Sequence, residues 1–329
     1  MAPARLVQEG SQQRESTSIV KSVVTIGTFD GVHLGHQALI GNVAARAIDL
    51  GIQSAVVTFE PIPISVLRPE VYRGRISSPE EKLRLLRDAG INHVEVIAFT
   101  RELASETPEQ FLRMLVERLG MVELWIGDDF ALGRGRSGNA GVITEIGKTL
   151  GYQTVAISRV PQGGQPISST DIRQAIEIGD VSLAASLLGR PFRVSGEVIH
   201  GAHLGRKIGF PTANFVPPPG MVQLADGIYA SYASLAGQPD QLPAMTYVGT
   251  RPTVDGANRQ VETNIFDFDG DLYGKLLTVD LIERVRGDQT FDGLKPLVDQ
   301  LRKDEVRIRS ILRSGVDSQP HRVDQRSGP

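Results

Sequence analysis

The chain has 329 residues, of which 40% are hydrophobic and 22% charged, and its formal net charge is −3 at pH 7. This length suits two domains better than a single core. The balance of charge excludes the basic excess that non-specific nucleic-acid binding needs. The absence of cysteine excludes disulfides, thiolate metal ligands and thiol nucleophiles.

The polarity of the chain ends and the length of the apolar runs bear on disorder and on cellular localisation. Residues 1–20 and 314–329 are polar, so we expect a disordered leader and a disordered tail. No apolar run reaches the ~18 residues that a membrane span needs. We therefore expect a cytoplasmic protein that binds neither nucleic acid nor a membrane.

Short apolar segments alternate with helical segments from residue 21 to residue 187. Two of the helices begin with a capping box and a proline, at Ser78 and Thr107. The alternation predicts a parallel sheet with helices on both faces, which binds ligands beyond the carboxyl ends of its strands. The predicted strands are Ser22–Ile26, Ser54–Phe59, His93–Phe99, Val122–Gly127 and Gln153–Ile157.

From residue 188 to residue 313 the segments become short, alternating and rich in strand-forming residues. The pattern predicts an antiparallel β-barrel closed by a C-terminal helix. The predicted strands are Phe192–Ile199, Gly227–Leu235, Ala244–Val248, Gln260–Phe268 and Leu272–Val285. The apolar face of the helix is predicted to hold Leu294, Leu297, Val298, Leu301 and Val306.

A glycine-rich loop connects the first predicted strand to a helix predicted over Gln37–Leu50. It reads Gly27-Thr28-Phe29-Asp30-Gly31-Val32-His33-Leu34-Gly35-His36. Glycines let the backbone approach a ligand, and the helix start offers N–H groups to phosphate. The two histidines can donate hydrogen bonds to phosphate oxygens as charge develops. They can also be a metal pair, although no third ligand is evident nearby, or a simple helix cap.

A second segment with anion-binding chemistry is Ile167-Ser168-Ser169-Thr170-Asp171-Ile172-Arg173. Hydroxyls and a guanidinium at a helix start suit phosphate, although the segment alone also reads as an ordinary helix N-cap. Together with the histidine loop, it resembles the HxGH nucleotidyltransferase signature. The form is that of the FAD synthetase domain in prokaryotic bifunctional riboflavin kinase/FMN adenylyltransferases.

This resemblance implies a Rossmann-like domain in which His33, His36 and Arg173 are catalytic, with the arginine on the leaving pyrophosphate. It also implies a flavin pocket formed by Asp129, Phe130 and Arg136. The residues that it assigns to the nucleotide phosphates are Gly27, Thr28, Phe29, Gly31, Gly35, Ser168, Ser169 and Thr170.

The chain departs from this family pattern at two places. Relatives usually carry a histidine where this chain has Ile62, and an aromatic or basic pair where it has Ala131-Leu132. Both changes remove polar or aromatic contacts. They leave open that the protein is a monofunctional riboflavin kinase with a weakened adenylyltransferase domain.

The second candidate site is the segment from Gly201 to Asn214, which ends in Pro-Thr-Ala-Asn. Glycines at four-residue steps suit a loop over phosphates, and the oxygens of Thr212 and Asn214 are hard ligands suited to Mg²⁺. By spacing alone the segment is equally a turn between strands. Glu262, on a later predicted strand, reads by itself as a solvent-facing residue.

The segment resembles the flavokinase signature, and this resemblance implies a six-stranded antiparallel β-barrel. It also implies that Glu262 is the general base for the ribityl 5′-hydroxyl and that Thr212 and Asn214 bind the metal. The phosphate-binding residues that it implies are Gly201, Gly205, Arg206 and Gly209.

The two resemblances together cover roughly residues 23–311, nearly the whole chain. They imply that riboflavin and ATP give FMN, and that FMN and ATP then give FAD and pyrophosphate. The implied cofactor is Mg²⁺, with ATP as co-substrate, and we expect a monomer or weak homo-oligomer. A flavin-responsive regulatory protein without turnover is a further alternative. The low aromatic content of 5% disfavours a nucleic-acid-binding barrel.

Overall fold

The structure is a computed structural model. It describes residues 20–316 except residues 129, 159–160, 163–164, 202–203, 237, 239 and 254–255. The predicted leader and tail therefore lie almost entirely outside the described residues. No helix in the described part of the chain is both long enough and apolar enough to span a membrane.

The N-terminal half contains a five-stranded parallel sheet, as the sequence predicts. Its strands are β1 (Ser22–Ile26), β2 (Gln53–Glu60), β3 (His93–Ala98), β4 (Met121–Gly127) and β7 (Gln153–Ile157), in the order β3-β2-β1-β4-β7. Short pairs β5 (Ala131–Leu132) with β6 (Gly138–Asn139), and β8 (Pro161–Gln162) with β9 (Gln165–Pro166), lie in the connections. The strand order reverses direction between β1 and β4, which is where open α/β sheets bind ligands.

The described residues of this half form seven α-helices. They are α1 (Leu34–Leu50), α2 (Pro63–Leu67), α3 (Pro79–Asp88), α4 (Pro108–Leu119), α5 (Ala140–Leu150), α6 (Ser169–Ile178) and α7 (Val181–Leu188). The capping box at Thr107 is confirmed, because its side chain and that of Gln110 each accept from the other's backbone. Ser78 accepts from the Glu81 amide, but the Glu81 carboxylate pairs with Arg84 at 2.8 Å.

The C-terminal half is a six-stranded antiparallel sheet, as predicted, followed by a C-terminal helix. The strands are β10 (Phe192–Glu197), β11 (Ala213–Phe215), β12 (Gly227–Leu235), β13 (Leu242–Thr253), β14 (Gly256–Ile265) and β15 (Leu276–Arg286), in the order β10-β15-β12-β13-β14-β11. The amide of Ile199, just beyond β10, donates to the carbonyl of Asn214 at 2.8 Å. This bridge brings the two outer strands together.

Helix α8 (Leu204–Lys207) is short, whereas α9 (Leu294–Val316) is long and covers the sheet. Its buried residues include Ile308 and Leu312, and Val298 and Leu301 pack beside them. The placement of Val306 on the apolar face was wrong, because its side chain is 71% exposed. Residues 298, 301, 308 and 312 follow the helical period, and residue 306 falls outside it.

Helices α6 and α7 share a hydrophobic core with the barrel. Ile172 and Ile176 of α6 and Leu188 of α7 are fully buried in the same cluster as Phe192 and Leu281 of the barrel. The predicted domain boundary, between residues 187 and 188, falls at the last residue of α7. The apolar side of this helix pair nevertheless faces the barrel.

Candidate active sites

A cavity of about 730 Å³ lies at the carboxyl edge of the parallel sheet. Gly27, which follows β1, and Gly127, which ends β4, both line it. This is the edge at which the strand order predicts a ligand. The predicted site residues that line the cavity are Gly27, Thr28, Phe29, His33, Gly35, His36, Phe130, Arg136, Ser168 and Ser169.

The two histidines stack on each other at the start of α1. Their ring centroids are 3.6 Å apart, and His33 Nδ1 accepts from the backbone amide of His36 at 3.3 Å. His33 therefore caps the helix, which begins at Leu34 rather than at the predicted Gln37. Both rings still line the cavity, so capping and ligand contact are compatible.

Burial lowers the pKa of His36 well below its ordinary value, and the neighbouring His33 lowers it further. His36 is therefore neutral near pH 7 and has one ring N–H to donate. Within the described residues, its buried Nδ1 has no hydrogen-bond partner. The described residues also contain no group of three or more His, Asp or Glu side chains that could hold a metal ion, so the metal-pair alternative gains no third ligand.

Asp30 anchors the histidine loop from behind. Its carboxylate is 2% exposed and accepts from the amides of Ile76 at 3.0 Å and Ser77 at 3.3 Å. It also pairs with Arg173, whose guanidinium donates to the carbonyls of Gly74 at 2.7 Å and of Ser169 at 3.2 Å. Burial raises the pKa of Asp30, and the charge of Arg173 opposes that rise.

Arg173 consequently does not line the cavity in the described structure, and neither do Gly31 and the exposed Thr170. Gly31 instead donates its amide to Ser77 Oγ at 3.2 Å. The structure places Arg173 against Asp30 of the histidine loop, and the sequence did not reveal the direction of the guanidinium. The role of Asp30 as its acceptor was missed.

The far end of this cavity is apolar and contains one of the two predicted departures from the family pattern. Phe59, Phe99 and Phe130 line it, and so do Ala131 and Leu132. Ile62 is 4% exposed and does not line the cavity in the described structure. The predicted departure at residues 131–132 therefore falls on the cavity lining, whereas the one at residue 62 does not. Asp129 lies outside the described residues.

A second cavity, of about 590 Å³, lies between the barrel and the first turns of α9. Gly205, Thr212, Asn214 and Glu262 line it. Asn214 on β11 is paired in register with Glu262 on β14, and Glu262 is paired with Tyr247 on β13. Strand pairing thus fixes the carboxylate beside the predicted metal ligands.

The amide group of Asn214 is oriented by its neighbours. Its Nδ2 donates to the carbonyl of Thr212 at 3.0 Å and to Thr212 Oγ1 at 3.2 Å. This leaves the amide oxygen as the atom that can bind a cation. Two hard oxygen ligands from the protein fit Mg²⁺, which relies on waters and phosphates for its remaining positions.

The glycines of this loop differ in what they do. A Cβ at Gly201 would lie 2.7 Å from Asn214 Nδ2, and one at Gly205 would lie 2.2 Å from the Phe210 carbonyl oxygen. Gly209, two residues after α8, has a φ of +84°. Gly201, Gly209 and the exposed Arg206 do not line the cavity in the described structure.

The sequence missed three polar residues of this cavity. Tyr247 lies opposite Glu262, Asn264 donates to the Pro211 carbonyl at 2.6 Å, and Arg286 pairs with Asp304 at 2.8 Å. The pairing of Tyr247 with Glu262 depends on the register of the β13–β14 hairpin, which the sequence did not supply.

The fold and the two cavities define a two-domain transferase class, which joins a nucleotidyltransferase domain to a flavokinase barrel. The family model for FAD synthetase matches residues 15–171, and the family model for riboflavin kinase matches residues 188–312. The bifunctional riboflavin kinase/FMN adenylyltransferase of Escherichia coli strain K12 is 38% identical over 291 residues, which covers 88% of this chain and 92% of that protein.

The protein of the same description from Pseudomonas fluorescens is 37% identical over 88% of this chain and 92% of its own length. A crystal structure of a macrolide-efflux protein from Streptococcus pneumoniae is 33% identical, with a TM-score of 0.81, and the match covers 89% of this chain and 95% of that one. This chain belongs to the family of bifunctional riboflavin kinase/FMN adenylyltransferases.

Proposed function

We propose that this protein makes FAD in two steps, one in each cavity. The barrel phosphorylates riboflavin with ATP and gives FMN and ADP. The α/β domain then joins FMN to the adenylyl group of a second ATP and releases pyrophosphate. What supports this assignment is that each half of the chain has its own cavity, and that each cavity contains most of the side chains of its own family motif.

In the kinase step, the oxygen of the ribityl 5′-hydroxyl attacks the γ-phosphorus of ATP, and the bond to the β–γ bridging oxygen breaks. Glu262 accepts the hydroxyl proton, since an alcohol is a poor nucleophile until it loses that proton. Thr212 and Asn214 would hold Mg²⁺, which neutralises phosphate charge when it is bound. Their position beside Glu262 in one cavity supports this role.

In the adenylyl step, a phosphate oxygen of FMN attacks the α-phosphorus of ATP and pyrophosphate leaves. No protein base is needed, because the FMN phosphate is already anionic. His33 and His36 donate to phosphate oxygens, and Ser168 and Ser169 present the N-terminus of α6 to the same anion. The aromatic residues at the far end of the cavity suit the isoalloxazine ring.

Arg173 has two possible parts in this step, and its contacts favour one of them. In the structure it bridges Asp30, Gly74 and Ser169, which couples the histidine loop to the start of α6. Direct contact with pyrophosphate would require the guanidinium to leave these acceptors. We therefore assign it a positioning role in the unliganded protein.

The proposal further includes a cytoplasmic enzyme that is a monomer or a weak homo-oligomer.

Incubation of the purified protein with riboflavin, ATP and Mg²⁺, followed by chromatography of the flavins over time, tests this function. We expect FMN to appear first and FAD to follow. A parallel incubation with FMN, ATP and Mg²⁺ measures FAD and pyrophosphate alone. Accumulation of FMN without FAD in the first assay, and formation of neither FAD nor pyrophosphate in the second, would favour the monofunctional kinase, for which the cavity lining at Ala131 and Leu132 is the specific observation.

A further inference from the structure

The segment that connects the two domains is docked against the loop that carries the histidines. Gln37 on α1 donates through Nε2 to the carbonyls of Val32 and Leu188, at 2.8 Å each. A Cβ at Gly189, which has a φ of +72°, would lie 2.5 Å from Leu34 Cδ2. The connection therefore touches the histidine loop on both sides of His33.

Arg190 makes the strongest set of these contacts. Its Nη2 donates to the Gly31 carbonyl at 2.7 Å, and its Nη1 donates to the carbonyls of Val32 at 3.2 Å and Leu188 at 3.3 Å. Burial lowers the pKa of Arg190 to about 10, so the guanidinium keeps its charge at neutral pH. Charged donors make stronger hydrogen bonds than neutral ones.

Val32 shows why this loop needs external support. It is a β-branched residue with a φ of +39°, a conformation that such residues rarely adopt and that persists only when the surroundings enforce it. Its side chain is 1% exposed, and its carbonyl accepts from both Gln37 and Arg190. The next residue is His33, so the orientation of Val32 decides where the stacked imidazoles lie.

We propose that Arg190 is a positioning residue for FMN adenylylation, which holds the Gly31–Val32 backbone so that His33 and His36 meet the phosphates. Arg190 belongs by sequence to the start of the kinase half, yet it supports the chemistry of the other half. This inference rests on the proposed adenylyltransferase activity. It assigns a role in that activity to a residue that lies outside both the Gly27–His36 loop and the Ile167–Arg173 segment.

The test compares wild type with Arg190→Met, which keeps the length of the side chain but cannot donate, and with Arg190→Lys. For Arg190→Met we expect kcat of FAD formation to fall by roughly 10- to 100-fold, since a displacement of about 1 Å can cost that much. The KM values for FMN and ATP should change by less than about threefold. Arg190→Lys should recover part of the rate, and riboflavin phosphorylation in the same samples should stay within about twofold of wild type.

A matched control is Arg284→Met at the same domain junction. Arg284 donates to the carbonyls of Ile178 at 3.1 Å and Asp226 at 2.6 Å, and neither belongs to the histidine loop. Equal losses of FAD formation in Arg284→Met and Arg190→Met would overturn the positioning role in favour of general support of the junction. Full adenylylation by a folded Arg190→Met protein would also overturn it.

A measurement without turnover separates this inference from the proposed function. In wild-type protein with labelled histidine, the stacked rings of His33 and His36 shift each other's imidazole NMR signals. Arg190→Met should move these signals, and Arg284→Met should not. If wild type makes no FAD, the proposed function fails, but the NMR comparison still decides whether Arg190 holds the loop. Unchanged His33 and His36 signals in Arg190→Met would contradict the inference.

Discussion

At the residue scale, Glu262 is the side chain on which the kinase chemistry depends. It lies between Asn214 and Tyr247 in the sheet, so substitution by Gln keeps the shape and removes the base. We expect Glu262→Gln to lower kcat of riboflavin phosphorylation by about 10²- to 10⁴-fold. Conversion of FMN to FAD should stay near the wild-type rate, because the other cavity is on the other half. Flavin chromatography with riboflavin or FMN as substrate measures both rates.

Glu283→Gln is the control for this change. Glu283 is in the same sheet, but it is 43% exposed and pairs with Arg307 at 3.6 Å. Its substitution should leave both activities unchanged. If Glu262→Gln and Glu283→Gln gave the same kinase rate, Glu262 would not be the base.

The buried position of His36 predicts how stability depends on pH. The folded protein holds His36 neutral because its pKa is lowered by burial and by His33. In the unfolded chain the imidazole binds a proton below about pH 6.5. The unfolded state therefore takes up more protons than the folded state as the pH falls through that value, so acidification destabilises the fold.

Replacement of His36 by Gln removes this titration. Urea unfolding at pH 7.5, 6.5 and 5.5 should show that wild type loses stability more steeply toward acid than His36→Gln does. Parallel curves for wild type and His36→Gln would contradict the buried neutral state.

Sequence reasoning at this scale found most of the motif residues, because glycines, histidines and hydroxyls cluster along short segments. It did not find Asp30 as the partner of Arg173, since 143 residues separate the two. It also did not find Arg190, which lies in no motif. Contacts of this kind depend on how distant segments meet, and no local pattern records them.

At the scale of elements, the turn from α8 into β11 places Thr212 and Asn214. Gly205 allows this turn because it has no side chain: a Cβ at this position would lie only 2.2 Å from the Phe210 carbonyl oxygen. We expect Gly205→Ala to displace the loop and to reduce kcat/KM for riboflavin phosphorylation by at least about 10-fold. FAD formation from FMN should be spared. Steady-state kinetics with each flavin measures the difference.

Gly41→Ala provides the corresponding control in α1. No atom lies within 4 Å of a Cβ placed there, and alanine favours a helix over glycine by about 1 kcal/mol. Both activities should be retained, with equal or slightly higher stability. A kinase defect of the same size in Gly41→Ala and Gly205→Ala would remove the steric explanation.

The elements themselves were largely predictable, because strands and helices of ordinary length carry clear periodicity. The five parallel strands lie within two residues of their predicted bounds. Strand β11 was missed, since Ala213, Asn214 and Phe215 are all buried and show no alternation. Strand β13 was predicted too short because Gly249 and two prolines, Pro243 and Pro252, read as breakers, although the strand continues through them.

At the scale of the whole molecule, the shared core predicts that the two halves lose activity together on heating. Ile176 of α6 is fully buried in the cluster that also holds the barrel residues. Ile176→Ala should lower stability by about 2–5 kcal/mol and lower the inactivation temperature of both activities. Residual kinase and adenylyltransferase rates after brief heating measure this.

Leu112→Ala is the comparison, since Leu112 is equally buried but in the core of the α/β sheet alone. It should lower the inactivation temperature of FAD formation more than that of riboflavin phosphorylation. Loss of FAD formation alone in Ile176→Ala would contradict a common core. This coupling was not predictable from the sequence. There the predicted boundary between residues 187 and 188 rests on the change from strand–helix alternation to short, alternating strands.

Helix α6 begins at the adenylylation cavity and rests its apolar side in the barrel. If the gene were divided at the apparent boundary, the N-terminal fragment would expose the apolar side chains of α6 and α7 to solvent. The C-terminal fragment would lose the two helices that cover part of its core. A separately expressed version of the N-terminal domain would therefore first need these apolar side chains replaced by polar ones.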